Sequence, residues 1–464
     1  MKISKLLLIS SAIIMVHSTP AFADAKDDKI AAMEAQMKIM MQEIESMKAE
    51  RAAEKAAQAT QNQKLEQQVQ AIETKTEAAV ANIAPAAGGF NTSDVKVTMK
   101  GPVPKIEKDG FSWQPIGRIH LDAASINDDA VDHPNGAEFR RARIGMKGKI
   151  AHDFGYKAEL DFANENAAIK DMYMNYTGVE GTEIRVGHFK PGYSLNELTS
   201  SNDITFIERS AGIDAFSLSH QLGASLTNHG DNYHVTAGVF NDDAGRESSD
   251  DEQLSFSGRA VVAPYKQDDK VIHLGASASY REPDQSNDRF DFDGRAENRL
   301  QSSDSVSVVL NDADNAMVYG LEAAAASGPL SFEAEYIMAD VENTGGQDPS
   351  YAGGHAQIAW TVTGESRGYK MSKATFGGIK PNRPLDPSKG DWGALELAAR
   401  YSHLDLNDGG LNGGEMNNYT IGANWYLNDY MRLMANYIIV DTDNNAVTAD
   451  DDPEILLVRS QVKF

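Results

Sequence analysis

The sequence contains no cysteine, so neither a disulfide framework nor a thiolate metal site is available to it. No stretch approaches the 18 consecutive apolar residues that indicate a membrane-spanning helix. Positive charge is also scarce, because 43 Lys and Arg stand against 68 Asp and Glu, for a formal net charge of −25. Since phosphate backbones are bound by clustered Lys and Arg, this balance argues against nucleic acid as a partner.

Catalytic motifs are missing as well. The 11 histidines are scattered, and the sequence contains no HExxH motif, no Gly-x-Ser-x-Gly elbow and no Walker phosphate loop. A hydrolase of the cell envelope needs a Ser or Asp nucleophile supported by a histidine, whereas His188 and His273 are better interpreted as wall residues of strands. We therefore expect no enzyme activity, no cofactor and no bound metal.

The first 23 residues have the organisation of a secretory signal peptide. Lys2 and Lys5 give a positive start, residues 6–16 are mostly apolar, and Ala21-Phe22-Ala23 supplies the small residues of a cleavage site. This pattern predicts export of the chain from the cytoplasm.

Residues 24–82 predict a long helix, because they contain neither Gly nor Pro and are rich in Ala, Gln, Glu, Lys and Met. Spacings of three and four residues separate the apolar positions of a heptad seam: Ile30, Met33, Met37, Met40, Ile44 and Met47. The seam favours a periplasmic coiled-coil stalk, and the alternative is a solvated or partly disordered helix that meets no partner. Residues 83–112, punctuated by Pro and Gly, are interpreted as a linker.

From residue 113 to residue 464 the sequence pattern changes to segments of about ten residues in which polar and apolar side chains alternate. In the last segment one face carries Leu456, Val458, Ser460, Val462 and Phe464, and the other carries Leu457, Arg459, Gln461 and Lys463. Such two-faced segments are typical of transmembrane barrel strands, with one side toward lipid and the other toward water. A soluble sandwich or propeller is the competing interpretation, but the export signal and the absence of blade-length repeats argue against it.

Sixteen candidate strands are counted, starting near residues 113, 138, 154, 167, 181, 220, 231, 252, 270, 317, 329, 351, 391, 417, 430 and 454. An even number places both ends of the barrel in the periplasm. Residues 363–390 do not fit well, because they would form an unusually long periplasmic connection.

Several blocks in this region resemble the phosphate-selective porins O and P. They are FRRARIGMKGK at 139–149, YKAELDFA at 156–163, KDMYMNYTG at 170–178, VGHFKPGYSLNELTSSNDITFIERS at 186–210, AGVFND at 237–242, TGESRGY at 363–369, WGALELAARYSHLDL at 392–406 and NNYTIGANWYLNDYMRLMANYIIV at 417–440. The resemblance implies an all-β, sixteen-stranded outer-membrane barrel, commonly trimeric, whose third extracellular loop folds inward as a constriction. Strand parity places that loop at residues 190–219.

The alternation directs one set of basic residues into the predicted bore: Arg118, Arg141, Arg143, Lys147, Lys149 and Arg185. Ion selectivity follows from the charge at the narrowest section, so this wall favours anions, unless crossed rows of both charges only shape a local field. The constriction residues singled out are Lys190, Ser200, Ser201, Asn202, Asp203 and Arg209. Phosphate-selective members of the family resemble one another in having a lysine after the paired serines, and Asn202 takes that place here.

These observations predict an outer-membrane porin for passive diffusion of small solutes, including inorganic anions such as phosphate, with the N-terminal segment in the periplasm. Expected partners are outer-membrane lipid and lipopolysaccharide, peptidoglycan at the stalk, and two further copies of the chain in a homotrimer. Acidic clusters at residues 242–252 and 450–452 bridge lipopolysaccharide through divalent cations or are simply solvated loops. The alternative function is a structural tether, in which the stalk reaches peptidoglycan and the barrel is an anchor.

Overall fold

The computed structural model describes Lys38 and residues 94–163, 167–241, 254–283, 289–301, 304–443 and 450–464. The predicted signal peptide and, apart from Lys38, the predicted stalk lie outside the described residues. The first eleven strands are β1 Lys96–Lys100, β2 Val103–Lys108, β3 Phe111–Asn127, β4 Gly136–Ala151, β5 Phe154–Asp161, β6 Ala168–Tyr176, β7 Thr182–Phe189, β8 Gln221–His229, β9 Tyr233–Asn241, β10 Leu254–Gln267 and β11 Lys270–Arg281. The others are β12 Phe290–Gly294, β13 Val306–Leu310, β14 Ala313–Ser327, β15 Leu330–Asn343, β16 Ser350–Thr361, β17 Tyr369–Lys370, β18 Thr375–Phe376, β19 Ala394–Asp408, β20 Leu411–Tyr426, β21 Met431–Asp443 and β22 Glu454–Lys463.

Two short helices, α1 Leu195–Leu198 and α2 Ala211–Phe216, and a 3-10 turn at Pro387–Lys389 complete the described elements. All the strands and both helices belong to the second of two compact units, Thr92–Phe464. Among the described residues, no helix has the length and apolar character needed to cross a membrane.

Sixteen strands, β3 to β11, β14 to β16 and β19 to β22, form a closed antiparallel barrel. Each pairs with the next one along the chain, and β22 returns to pair with β3, with Glu454 opposite Asn127 and Lys463 opposite Arg118. Closure satisfies the backbone of every barrel strand on both sides, which is required in lipid because lipid offers no hydrogen-bond partner. The predicted barrel is confirmed, and its largest error in a strand start, six residues, occurs at β20, which begins at Leu411.

The two faces of the strands follow the predicted alternation. Along β4, the side chains of Ile144 and Met146 are exposed on the outside, whereas Arg143 and Lys147 line the bore. Along β22, Val458 is exposed and its neighbour Arg459 is buried inside. Because successive side chains of a strand point to opposite faces, an apolar exterior and a polar interior arise together from the same residues.

The connection between β7 and β8, residues 190–220, folds into the bore and is named the constriction loop. It carries α1 and α2, and its Ile207, Ile213 and Phe216 are fully buried in the main apolar cluster beneath the loop. Helix α2 approaches β16 so closely that a Cβ atom on Gly212 would lie 2.5 Å from the backbone nitrogen of Gly354. Only glycine therefore permits this contact. The inward-folded loop implied by the family resemblance is present at the expected position.

The long connection between β16 and β19, residues 362–393, is named the inner segment, because it also folds into the barrel from the end at which Phe464 lies. Its hairpin of β17 and β18 buries Met371, Ala374 and Phe376 against inward-facing apolar residues of the wall. Arg259 of the wall donates to the carbonyl of Ala374 at 2.9 Å. Sequence analysis treats this stretch as an anomalous excursion, and the structure shows instead that it fills part of the bore.

Two further segments complete the unit. The hairpin of β12 and β13 lies within the connection between β11 and β14, and its Phe292 contacts Phe216 edge to face, with ring centroids 5.3 Å apart. Before the barrel, β1 and β2 form a hairpin that extends the sheet at β3. The range 83–112, predicted as a linker, thus includes regular strands from Lys96 onward.

Candidate functional site

The inner faces of β3 to β9, the constriction loop and the inner segment enclose a polar cavity of about 730 Å³. Eleven of the twelve residues predicted for the pore line it: Arg118, Arg141, Arg143, Lys147, Lys149, Arg185, Lys190, Ser200, Ser201, Asn202 and Arg209. The twelfth, Asp203, lies apart from this lining, and its carboxylate accepts a hydrogen bond from Lys463 Nζ at 2.8 Å. Residues that are distant in the sequence therefore share one chamber, although proximity alone assigns them no role in transport.

Alternate residues of β4 and β5 form a ladder of crossed charges on the chamber wall. The Arg143 guanidinium donates to Asp161 at 2.7 Å and to Glu159 at 3.3 Å. Arg118, on β3, reaches the other oxygen of Glu159 at 3.3 Å and donates to Ser201 Oγ at 2.8 Å. These arginines are rigidly held, but much of their charge is neutralised by acidic partners.

Arg141 has a different role from the one that its sequence position suggests. Its side chain is only 4% exposed, and it donates to Glu208 of the constriction loop at 3.2 and 3.3 Å. Arg140 and Arg459 bind the same carboxylate, the latter at 2.6 Å. Arg141 therefore docks the loop against the wall in addition to bordering the chamber.

Arg185 is held by a carboxylate and by aromatic rings. It pairs with Glu183 at 3.0 Å, and its guanidinium carbon lies 4.5 Å from the ring centre of Tyr173 and 5.1 Å from that of Phe189. Such cation–π contacts fix the plane of the guanidinium. One face of Arg185 is thereby occupied, while the residue still lines the chamber.

In the constriction loop, Glu197 forms ion pairs with Lys190 and with Arg209, the second at 2.7 Å. Burial opposes ionisation of this carboxyl group, but the neighbouring Arg209 and Lys190 outweigh burial and lower the pKa of Glu197. Asn202, in the position after the paired serines, places its Oδ1 3.1 Å from His120 Nε2. The charges that the loop turns toward the chamber are thus largely paired within the loop.

Two lysines of the chamber stand out, because neither an ion pair nor a side-chain hydrogen bond is found for Lys147 or Lys373 in the part of the chain that the structure describes. Lys149 also lacks a carboxylate partner, but its ammonium group donates to the carbonyl of His152 at 2.7 Å. Lys373 belongs to the inner segment. Burial, reinforced by the positive charges of Arg185 and Lys157, lowers the pKa of Lys373. Sequence analysis missed this residue, and the only signal for it is the unexplained length of the connection at 363–390.

Basic residues outnumber acidic ones in the chamber lining. Eleven are basic: Lys105, Arg118, Arg141, Arg143, Lys147, Lys149, Lys157, Arg185, Lys190, Arg209 and Lys373. Four are acidic: Glu159, Asp171, Glu183 and Glu197. A cleft lined mainly by one sign of charge concentrates counter-ions, and the excess charge of this lining is positive even though the whole chain is acidic.

The structure describes one of the two acidic clusters noted in the sequence. Residues 242–252 lie outside the described residues. In the other cluster, Asp451 is buried and accepts hydrogen bonds from the amides of Ala130 and Val131 at 3.1 and 2.9 Å, while His133 Nε2 lies 2.7 Å from its other oxygen. Asp451 therefore ties the connection between β3 and β4 to the one between β21 and β22, and it is not a solvated loop residue.

Comparison with known proteins agrees with this architecture. The family model described as phosphate-selective porin O and P matches residues 115–464. Porin O of Pseudomonas aeruginosa is 29% identical over 420 residues, covering 80% of this chain and 93% of that protein. An uncharacterized protein of Caulobacter vibrioides is 31% identical over 435 residues, covering 88% and 87%. Among solved structures, the anion-selective porin from Comamonas acidovorans superposes with a TM-score of 0.51 at 12% identity, covering 76% of this chain and all of that one.

Proposed function

Because the chain belongs to the phosphate-selective porin O and P family, and is therefore an outer-membrane porin for passive diffusion of small solutes, we propose that its pore prefers small inorganic anions. The observation that carries the proposal is the composition of the chamber lining, in which eleven basic residues face four acidic ones. Family and fold point to a channel rather than an enzyme.

The anion attraction comes chiefly from the lysines without acidic partners. The arginines Arg118 and Arg143 share Glu159, so their fields largely cancel at a distance. Lys147 and Lys373 line the chamber without a carboxylate partner, as does Lys149, whose ammonium group is bound to the carbonyl of His152. A unit charge about 5 Å from a passing ion, at an effective dielectric constant of about 60, contributes about 1 kcal/mol, which favours anions and disfavours cations.

Discrimination among anions is proposed to be weak. The lysine that phosphate-selective family members carry after the paired serines is replaced by Asn202, which contacts His120, and the next residue, Asp203, binds Lys463. No lysine therefore projects from this part of the constriction loop. We expect phosphate, sulfate and chloride to pass with permeabilities of the same order.

Reversal potentials in planar bilayers under a salt gradient test the proposal. Wild-type channels should favour anions, and the double variant Lys147→Gln, Lys373→Gln should lower the anion-to-cation permeability ratio by more than tenfold, because each substitution removes about 1 kcal/mol of preference. Lys266→Gln is the matched control, since Lys266 is exposed and donates to the carbonyl of Asp231 away from the chamber. Cation-selective wild-type channels, or equal ratios in the double variant and the control, would refute it.

The assembly and the N-terminal segment belong to the same proposal. We infer a homotrimer embedded in outer-membrane lipid beside lipopolysaccharide, with residues 24–82 forming a periplasmic coiled coil that contacts peptidoglycan. Deletion of residues 24–82 separates this role from conduction. The truncated protein should keep its ion selectivity, whereas a protein that serves mainly as a tether should lose envelope integrity on deletion.

A further inference from the structure

A buried cluster outside the chamber, formed by Glu333, Glu335 and His355, holds two carboxylates and an imidazole behind the constriction loop. One ligand atom from each of the three lies within 4.8 Å of the others. The two glutamates share the inner face of β15, and His355 of β16 stands directly opposite Glu335 in the sheet register. All three residues are buried, with 5–8% of the whole-residue surface exposed.

Two arginines near this cluster are already bound to other carboxylates. Arg367 acts electrostatically on Glu333, but its guanidinium is already bound to Glu396 at 2.6 Å. Arg259, on the neighbouring part of the wall, is bound to Glu322 at 2.8 Å. Among the described residues, His355 is the one basic side chain within 4.0 Å of either carboxyl group, and it lies beside Glu333. Buried charges in proteins are normally paired or bound to a metal ion.

The histidine is oriented in the manner of a metal ligand. His355 Nδ1 lies 3.1 Å from Ser210 Oγ of the constriction loop, which fixes the ring, while Nε2 faces the Glu333 carboxylate at 3.2 Å. Ligands about 2.0–2.1 Å from a tetrahedral Zn²⁺ are separated by about 3.3 Å, so the Nε2-to-carboxylate distance matches an edge of such a site. A hydrogen bond to the second ring nitrogen is the usual support of a ligating histidine.

Two buried amide oxygens without hydrogen-bond partners belong to residues that neighbour Glu333. Asn196 of α1 donates from its amide nitrogen to Glu333 at 2.8 Å, yet its Oδ1 has no hydrogen-bond partner. Gln357 stands opposite Glu333 in the register, is 7% exposed, and its Oε1 is likewise without a partner. Glu333 and Gln357 also line a cavity of about 10 Å³, about the space needed for one water molecule, on the side toward Thr205 and Arg367, and Glu335 and His355 do not border it.

We propose that Glu333, Glu335 and His355 bind one divalent cation of the Zn²⁺ type, with an amide oxygen or a water molecule as the fourth ligand. One histidine nitrogen and two carboxylate oxygens suit zinc, and three protein ligands leave room for a fourth. Glu335 also accepts the backbone amides of Leu195 and Asn196, at 2.9 and 2.6 Å, so the ion ties the constriction loop to the wall. The site is separate from the anion chamber and does not depend on its selectivity.

Metal content of the full-length protein, purified in detergent, tests the site. The protein is stripped with a chelator, mixed with equimolar Zn²⁺ and desalted, and bound zinc is measured by elemental analysis. Wild type should retain one ion per chain, and His355→Asn and Glu335→Gln should lose most of the bound zinc on desalting. The matched control is His403→Asn, because His403 is a partly exposed histidine 3.7 Å from Glu415, and it should retain the ion.

Resistance to SDS before heating shows whether each variant has folded. If a variant has not folded, a second measurement on the wild-type protein tests the site without it. Wild-type crystals soaked in Zn²⁺ should show an anomalous peak between the side chains of Glu333, Glu335 and His355. Retention of zinc by wild type no greater than by folded His355→Asn overturns the proposal, as does the absence of that peak. Both results leave the reversal-potential test of anion preference unaffected.

Discussion

Replacement of Glu208 by glutamine probes how the constriction is held in place. Glu208 accepts hydrogen bonds from three arginines of the wall, Arg140 at 3.1 Å, Arg141 at 3.2 Å and Arg459 at 2.6 Å. Glutamine keeps the shape but loses the charge and one acceptor. Since removing one partner of a buried ion pair costs about 3–5 kcal/mol, Glu208→Gln should largely undo this attachment of the loop.

The barrel itself should survive, because its strands pair independently of the loop. We expect unchanged strand content by circular dichroism, and a larger, noisier single-channel conductance in planar bilayers. Anion preference should be maintained or increased, because Arg140 and Arg141 lose their acidic partner. If the variant channel were instead misfolded as a whole, its anion selectivity should be lower than that of the wild type.

Asp214→Asn is the matched control within the same loop. The Asp214–Arg299 pair is about one-third exposed, and such pairs contribute about 0–1 kcal/mol. This variant should conduct as wild type does. If Glu208→Gln also gives wild-type conductance and noise, the inference that Glu208 anchors the constriction is wrong.

Three other predictions concern the wall, the Asp451 contact and the inner segment. Leu226→Arg should lower the free energy of unfolding in lipid by about 2–4 kcal/mol, because Leu226 faces outward, whereas Ser225→Arg, one residue away on the chamber side, should not. Equal losses of stability in the two variants would contradict the assignment of the two faces of β8. Asp451→Ala should lower the local free energy of unfolding by about 1–3 kcal/mol and should speed hydrogen exchange at the amides of Ala130 and Val131. Exchange at the wild-type rate would contradict the inference that Asp451 holds these amides. Because its pKa is lowered, Lys373 should lose its charge at a less alkaline pH than an ordinary lysine. Anion preference should therefore fall as the pH rises from 7 to 10, and the fall should be smaller in Lys373→Gln.

The resemblance to the family and the alternation of side chains predicted the barrel well because both rest on local sequence. A strand directs successive side chains to opposite faces, so an apolar residue such as Val458 beside a polar one such as Arg459 identifies lipid and bore without any distant contact. The same rule placed Arg143 and Lys147 inside. The inner segment was noticed only as an irregularity, because its burial depends on wall residues about a hundred positions away, such as Arg259 bound to the Ala374 carbonyl.

The sequence by itself determined the two-faced strands, their number, the closure parity and the set of basic residues directed inward, since each follows from the two-residue period of the backbone. Only the tertiary structure decided which charges remain available. Glu208 is 251 residues from Arg459, and Arg118 is 83 residues from Ser201, yet each pair forms a hydrogen bond. Because neutralisation of a charge depends on what meets it across the bore, the difference between the docked Arg141 and the unpaired Lys147 is a property of the folded barrel.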